Sequence, residues 1–128
     1  MKSFRKEKIK NKTLEPINML QLYSEGAFPM ADETGKIDWY FPETRTVIPI
    51  DNFNIPRSLK KILSTTDFVI KKDTCTMQVI QNCANREVTW ITDELIEAYQ
   101  RIYDLGFVHS VEVFNDGELV GGLYGISI

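Results

Sequence analysis

The hydrophobic pattern of the chain is most clearly helical over residues 93–105. Apolar residues recur there every three or four positions, so they share one face of an α-helix. The members of this face are Leu95, Ile96, Tyr99, Ile102 and Tyr103. Thr92 suits the N-cap position, and Gly106 suits the position after the last turn. The pattern predicts a helix with one face against a core.

Three shorter segments also predict helices. One begins at Pro16 and stops before Gly26, and another covers residues 76–83. The third covers residues 57–64, and a proline-containing N-cap region precedes it at 54–56. Its apolar face holds Leu59, Ile62 and Leu63, and its opposite face holds Arg57, Lys60 and Lys61.

Extended segments alternate with these helices. The predicted strands cover residues 37–41, 67–71, 108–114 and 118–128. The last two flank Asn115-Asp116-Gly117, a turn sequence typical of a β-hairpin. Residues 46–50 form another short apolar run, which Pro49 confines to a sheet edge or a strand end. The mixture predicts an α+β fold.

The last predicted strand contains three glycines and continues to Ile128 without a closing turn. Gly121 and Gly122 do not have the spacing of a nucleotide-binding loop, so we expect another backbone or a ligand to approach them closely. A long strand of this kind needs neighbours. We therefore expect the chain to be a fragment or the product of a truncated reading frame.

Composition narrows the class of protein. Of the 128 residues, 43% are hydrophobic and 26% are charged, as in globular proteins. No apolar run approaches the roughly 20 residues that span a bilayer. The N-terminus is basic but lacks the apolar stretch of a signal peptide. We expect a cytoplasmic protein.

The net charge of −3 is unevenly distributed. Residues 1–12 hold six basic side chains and one acidic one, whereas the remainder holds nine basic and seventeen acidic ones. Phosphate neutralisation drives nucleic-acid binding, so this acidity argues against broad nucleic-acid coverage but leaves room for local basic patches. Residues 1–12 are interpreted as a flexible tail, with a polyanion-binding arm as the alternative.

No disulfide and no metal site is predicted. Cys75 and Cys83 lie eight residues apart in a helical stretch, which separates their Cα atoms by about 12 Å. A disulfide tolerates at most about 7 Å, so reduced, buried thiols are expected. With His109 as the single histidine, no zinc ligand set has usable spacing.

The remaining polar residues predict little chemistry by themselves. His109 and Ser110 point to opposite faces of a strand, so they cannot form a catalytic pair. His109 is interpreted as a half-buried, hydrogen-bonded residue. Glu112 is interpreted as a carboxylate on the strand surface, in preference to a site residue. Trp90 belongs either to the core or to a flat platform for a base or a substrate side chain.

Four stretches, in order and at matching spacing over about residues 17–126, resemble the leucyl/phenylalanyl-tRNA–protein transferase family. The first two are Leu22-Tyr23-Ser24-Glu25-Gly26-Ala27-Phe28-Pro29 and Ile55-Pro56-Arg57-Ser58-Leu59-Lys60-Lys61. The third is Thr89-Trp90-Ile91-Thr92 with Glu97-Ala98-Tyr99. The fourth runs from Leu105-Gly106-Phe107 through His109-Ser110-Val111-Glu112 to Gly121-Gly122-Leu123-Tyr124-Gly125. The resemblance rests on the whole set.

This resemblance implies a two-part architecture. A small N-terminal α+β domain, residues 1–43, would be followed by the first part of an acetyltransferase-like (GNAT-type) domain, residues 44–128, with the boundary near 42–45. It also implies a reaction of the bacterial N-degron (N-end rule) pathway of protein degradation. The α-amine of an acceptor protein's N-terminal Arg or Lys would attack the ester of leucyl- or phenylalanyl-tRNA. Because that ester is already activated, no cofactor, ATP or metal is expected.

The resemblance also implies site residues. Tyr23, Phe28 and Trp90 would line the pocket for the terminal adenosine and aminoacyl group. Leu123 would lie in the pocket for the Leu or Phe side chain, with Tyr99 nearby. Met30 stands where the family commonly has a tryptophan, and it offers less stacking area for a base. The basic helix face of Arg57, Lys60 and Lys61 would face the tRNA acceptor stem.

No catalytic residue is assigned in residues 1–128. The family's acidic and amide residues that orient the attacking amine would lie in a C-terminal half beyond this chain. We therefore expect little or no transfer by the chain alone. One alternative is a non-catalytic relic or tRNA-end-binding module. Another is a different acyltransferase that uses acyl-CoA, although the sequence lacks a phosphate-binding Gly/Arg turn before a helix.

Overall fold

The computed structural model describes residues 11–128, and most of the predicted basic tail therefore lies outside the described residues. A short 3₁₀ turn, Lys12–Leu14, precedes the first helix. The helices are α1 (Pro16–Ser24), α2 (Arg57–Thr65), α3 (Thr76–Ala84) and α4 (Asp93–Asp104). The strands are β1 (Phe28–Ala31), β2 (Ile37–Tyr40), β3 (Val69–Lys72), β4 (Val108–Asn115) and β5 (Glu118–Ile126). The predicted α+β fold is confirmed.

The strands form two antiparallel sheets. β1 pairs with β2, and β4 lies between β3 and β5 in a three-stranded sheet. The predicted hairpin is confirmed, because Asp116 and Gly117 both have positive φ, as a tight β4–β5 turn requires. Since side chains alternate along a strand, Ser110 and Glu112 point to one face of the sheet and His109 and Val111 to the other. We call the Ser110 side the inner face and the His109 side the outer face.

The core lies between the inner face and the helices that cover it. Leu95, Ala98, Tyr99 and Ile102 of α4 are all buried, as the helical pattern predicted. The Thr92 hydroxyl accepts a hydrogen bond from the Leu95 amide at 3.3 Å, so the predicted N-cap is also confirmed. Gly106 ends the helix with a φ of +86°, which glycine adopts readily.

α3 packs closely against β5 at Gly122. A Cβ atom on this glycine would lie 2.9 Å from both γ-methyl groups of Val79. A helix side chain therefore makes the close approach at Gly122, where the sequence predicts a backbone or a ligand. Cys75 directly precedes α3 and Cys83 lies near its end; both thiols are free and half-buried.

One expectation from the sequence is wrong. Residues 46–50 form no strand, and Ile50 is 94% exposed, because no neighbouring strand accepts its backbone hydrogen bonds. The helix predicted at 57–64 is confirmed as α2, and its apolar face of Leu59, Ile62 and Leu63 is exposed, with no α2 residue buried. Within residues 11–128, no helix is both long and apolar enough to cross a membrane.

Candidate functional site

An aromatic cavity of about 390 Å³ opens where α1, β1, α4 and β5 meet the loop of residues 85–92. Five of the six predicted pocket residues line it: Tyr23, Phe28, Trp90, Tyr99 and Leu123. They come from five different segments of the chain, so the fold alone brings them together. Met30, the sixth, lies in β1 and does not line the cavity.

A backbone hydrogen bond and a ring contact position the aromatic residues of the cavity. The Ala31 amide donates a hydrogen bond to the Trp90 carbonyl at 3.0 Å, which joins β1 to the loop that carries the indole. Phe28 stacks on Tyr40 with ring centroids 6.0 Å apart. Trp90 is 39% exposed, so one part of the indole is supported and another part is open to a ligand. Trp90 could belong to the core or form a flat platform for a ligand, and its partial exposure favours the platform.

Three tyrosines close one end of the cavity. The Tyr23 and Tyr99 hydroxyls lie 2.9 Å apart, and the Tyr99 and Tyr124 rings meet edge to face at 5.5 Å. Burial raises the pKa of all three phenols, so each hydroxyl is protonated at neutral pH. This end of the cavity therefore offers neutral hydroxyl groups.

Arg86 is the one charged residue among those described that line this cavity. It lies in the loop after α3, four residues before Trp90. Among the described residues, no carboxylate and no imidazole lines the cavity. The pocket can therefore stack a flat ring, enclose an apolar side chain and attract an anion, but its lining supplies no carboxylate or imidazole base.

The lining residues that the sequence interpretation did not assign to the pocket include Cys83, Arg86 and Tyr124. Arg86 lies close to Trp90 and Tyr124 follows Leu123, so adjacency to predicted site residues was the signal available. The predicted tRNA-facing cations Arg57, Lys60 and Lys61 are exposed on α2 and do not line the cavity. The structure does not join this helix to the pocket.

Glu112 is not the surface carboxylate that the sequence suggested. It lies on the inner face and is completely buried. It accepts hydrogen bonds from the hydroxyl of Thr74 at 3.0 Å, the amide of Cys75 at 3.3 Å and the hydroxyl of Ser110. Thr74 and Cys75 directly precede α3, so the carboxylate caps the positive end of that helix from the neighbouring strand. The carboxylate thereby links β4 to the start of α3.

Opposing effects act on the Glu112 pKa. Burial raises it, whereas the hydrogen bonds from Ser110, Cys75 and Thr74 lower it, and the net shift is downward. The carboxyl is therefore ionised at neutral pH, and its buried charge is satisfied by donors.

On the outer face, His109 Nδ1 lies 3.0 Å from an Asp73 carboxylate oxygen. The hydrogen bond from His109 lowers the pKa of Asp73, and a bond from the Ser110 amide lowers it further. His109 is half-buried and hydrogen-bonded, as predicted, and it does not line the aromatic cavity.

The α+β fold thus encloses an aromatic, largely apolar pocket with one cation in its described lining. Comparison with known families identifies the class of protein. Residues 47–128 match the family model of leucyl/phenylalanyl-tRNA protein transferase, and residues 12–43 match the model of its N-terminal domain. The chain belongs to the leucyl/phenylalanyl-tRNA–protein transferase family.

Curated relatives carry the same family name. The leucyl/phenylalanyl-tRNA–protein transferase of Gloeobacter violaceus is 44% identical over 117 residues, which cover 91% of this chain and 61% of that protein. The one from Herpetosiphon aurantiacus is 42% identical, with coverage of 91% and 61%. The one from Salinibacter ruber is 38% identical, with coverage of 90% and 51%. The chain spans about half to three fifths of the length of these relatives.

Proposed function

We propose that this chain carries the aminoacyl-adenosine half of a transferase site. The site would move Leu or Phe from aminoacyl-tRNA to an acceptor protein with N-terminal Arg or Lys. The observation that carries the proposal is the aromatic cavity, where Tyr23, Phe28, Trp90 and Leu123 meet. An indole face can stack on adenine, and apolar walls can enclose a Leu or Phe side chain.

The proposed chemistry is nucleophilic attack by the acceptor's α-amine on the ester carbon. An amide bond forms, the ester bond breaks, and a base must pass a proton from the amine to the departing ribose oxygen. Because the described lining contains no carboxylate or imidazole, we expect little transfer by this chain alone. Since charged tRNA is the donor, the proposed location is the cytoplasm. The proposed domains are residues 1–43 and a GNAT-type part at 44–128.

A chimera tests the reaction. The matched region of the Gloeobacter violaceus relative is replaced by the corresponding residues of this chain. Transfer of labelled leucine from charged tRNA to a peptide that starts with Arg is measured beside a peptide that starts with Asp. We expect transfer to the first peptide only, and its loss in Trp90→Ala. A folded chimera that transfers nothing, beside an active parent protein, would contradict the proposal.

A second candidate function is a tRNA-end-binding module without catalysis. Two observations favour it: the described residues that line the cavity include no carboxylate or imidazole, and α2 exposes Arg57, Lys60 and Lys61. Charged tRNA should then bind this chain without transfer, and its affinity should fall as salt rises. Replacing the three cations by alanine should reduce the logarithmic salt dependence by up to about three, one for each phosphate contact. An unchanged salt dependence would exclude α2 from the tRNA contact.

A further inference from the structure

Arg86 is an uncompensated cation at the aromatic cavity. Among residues 11–128, no ion pair and no side-chain hydrogen bond engages its guanidinium. The side chain is exposed, and it also borders a smaller cavity of about 240 Å³ that includes Asn82 and Leu119. The guanidinium is therefore available to a ligand held in either cavity.

The charge of the expected ligand shows which of its parts Arg86 can bind. An aminoacyl ester is uncharged at the reacting carbon, and its α-amine is cationic when protonated, so a nearby arginine would not attract that end. Adenine and ribose are neutral. The anionic group of a terminal nucleotide is the phosphate on its 5′ side. A guanidinium forms paired hydrogen bonds with phosphate oxygens, whereas no other charged side chain among the described residues lines the cavity.

We propose that Arg86 binds the phosphate on the 5′ side of the terminal adenosine. It is thus a positioning residue that anchors the nucleotide while Trp90 contacts the base. The assignment rests on the proposed function, because it requires an adenosine in the aromatic cavity. It is separate from the α2 cations, which do not line this cavity.

Two stable probes isolate this contact. One is 3′-deoxy-3′-leucylamido-adenosine, in which an amide replaces the labile ester, and the other is the same compound with a 5′-phosphate. The whole 128-residue chain is titrated with each probe, and the ratio of the two Kd values is measured. For the unchanged protein we expect the phosphate to tighten binding about tenfold, as one charge-assisted contact does.

Arg86→Ala should abolish this ratio and leave binding of the unphosphorylated probe within about twofold, since an exposed side chain contributes little to the fold. Arg86→Lys should keep part of the ratio, because a lysine retains the charge without the paired geometry. Lys72→Ala is the matched control: it removes an exposed cation from β3 that does not line the aromatic cavity, and the ratio should persist.

The outcomes separate this inference from the proposed function. If the unchanged protein binds both probes and Arg86→Ala keeps the phosphate preference, the assignment of Arg86 is wrong while the pocket stands. The assignment of Arg86 to the phosphate is also wrong if Arg86→Ala weakens the binding of both probes equally. If Arg86→Ala instead weakens binding of free leucine, the guanidinium binds a carboxylate and the phosphate assignment is overturned. If the unchanged protein binds neither probe, the proposed function fails and this inference fails with it.

Discussion

The two faces of the three-stranded sheet differ in what covers them. On the inner face, α3 and α4 bury Val108, Ser110 and Glu112. On the outer face, Ile70, Val111 and Leu123 stay exposed although they are apolar. The inner face therefore supplies buried core residues, with β5 also bordering the aromatic cavity there, and the outer face supplies accessible apolar residues.

We expect inner-face residues to contribute mainly to stability and the outer-face residue Leu123 to contribute mainly to ligand binding. Residues of the inner face contact helices and a satisfied carboxylate, so changing them should cost free energy of unfolding. Leu123 is apolar and lines the aromatic cavity, yet it is 71% exposed. Changing it should affect a ligand more than the fold.

The largest expected effect compares two leucines. Leu95 is 0% exposed in the core, so Leu95→Ala should lower the free energy of unfolding by about 2–5 kcal/mol. Leu123→Ala should lower it by less than about 0.5 kcal/mol. Urea denaturation followed by circular dichroism measures both changes. Equal losses for the two variants would show that the outer face is covered in solution.

The Leu123→Ala protein can also be tested for ligand binding, because its fold should be intact. It should bind the leucylamido-adenosine probe about fivefold to a hundredfold more weakly, since deleting methyl groups from an apolar subsite costs about 1–3 kcal/mol. Unchanged binding would remove Leu123 from the proposed side-chain pocket.

Glu112→Gln tests the buried carboxylate. The variant loses the charge that accepts bonds from Thr74, Cys75 and Ser110, so stability at pH 7 should fall by about 1.5–3 kcal/mol. Because the net Glu112 pKa is lowered on folding, its contribution is present above the unfolded pKa. The contribution is lost as pH falls through the folded pKa.

The stability difference between Glu112→Gln and the unchanged protein should therefore shrink as pH falls from 7 through the folded pKa, which lies below the ordinary value of 4.5. Chemical denaturation at a series of pH values measures it. Glu118→Gln, on the exposed start of β5, is the control and should change stability by less than about 0.5 kcal/mol at any pH. A difference that is constant with pH would mean that the carboxylate charge does not cap α3.

Local signals were enough to predict much of the fold. The helical period and N-cap of α4, and the turn sequence between β4 and β5, depend on residues close together in the chain, and both are confirmed. Residues 46–50 were misinterpreted because an apolar run shows that a strand is possible but does not supply its partner.

Long-range geometry explains what the sequence did not reveal of the site. Glu112 is buried because Thr74 and Cys75, about 37 residues earlier, point their donors at it. No regular spacing in the sequence predicts that Thr74 and Cys75 would meet Glu112. Arg86 lies only four residues before Trp90, but this adjacency does not show that both reach the cavity, which depends on the loop of residues 85–92 being tied to β1. The aromatic residues were found through the family resemblance, and their assignment to a ligand stays a prediction.

Substitutions at two glycines of β5 test the difference between the inner and outer faces again. On the inner face, Gly122→Ala would place a methyl group 2.9 Å from Val79, so it should destabilise the protein by about 1–3 kcal/mol. On the outer face, Gly125→Ala meets nothing within 4 Å and should have almost no effect. Thermal denaturation measures both. In a Val79→Ala background, Gly122→Ala should cost less stability than in the unchanged protein; an equal cost would mean that the clash is not the cause.

The smallest expected effect concerns the tyrosines where the core meets the cavity. Tyr99→Phe removes the hydroxyl that lies 2.9 Å from that of Tyr23, so one hydrogen bond worth about 1 kcal/mol should be lost. Tyr103→Phe on the same helix is the control, since Tyr103 has no side-chain hydrogen bond among the described residues and should tolerate the change. Denaturant titration compares the two. If both variants lose the same stability, the Tyr23–Tyr99 bond contributes nothing, and the tyrosine end of the cavity is held by ring packing alone.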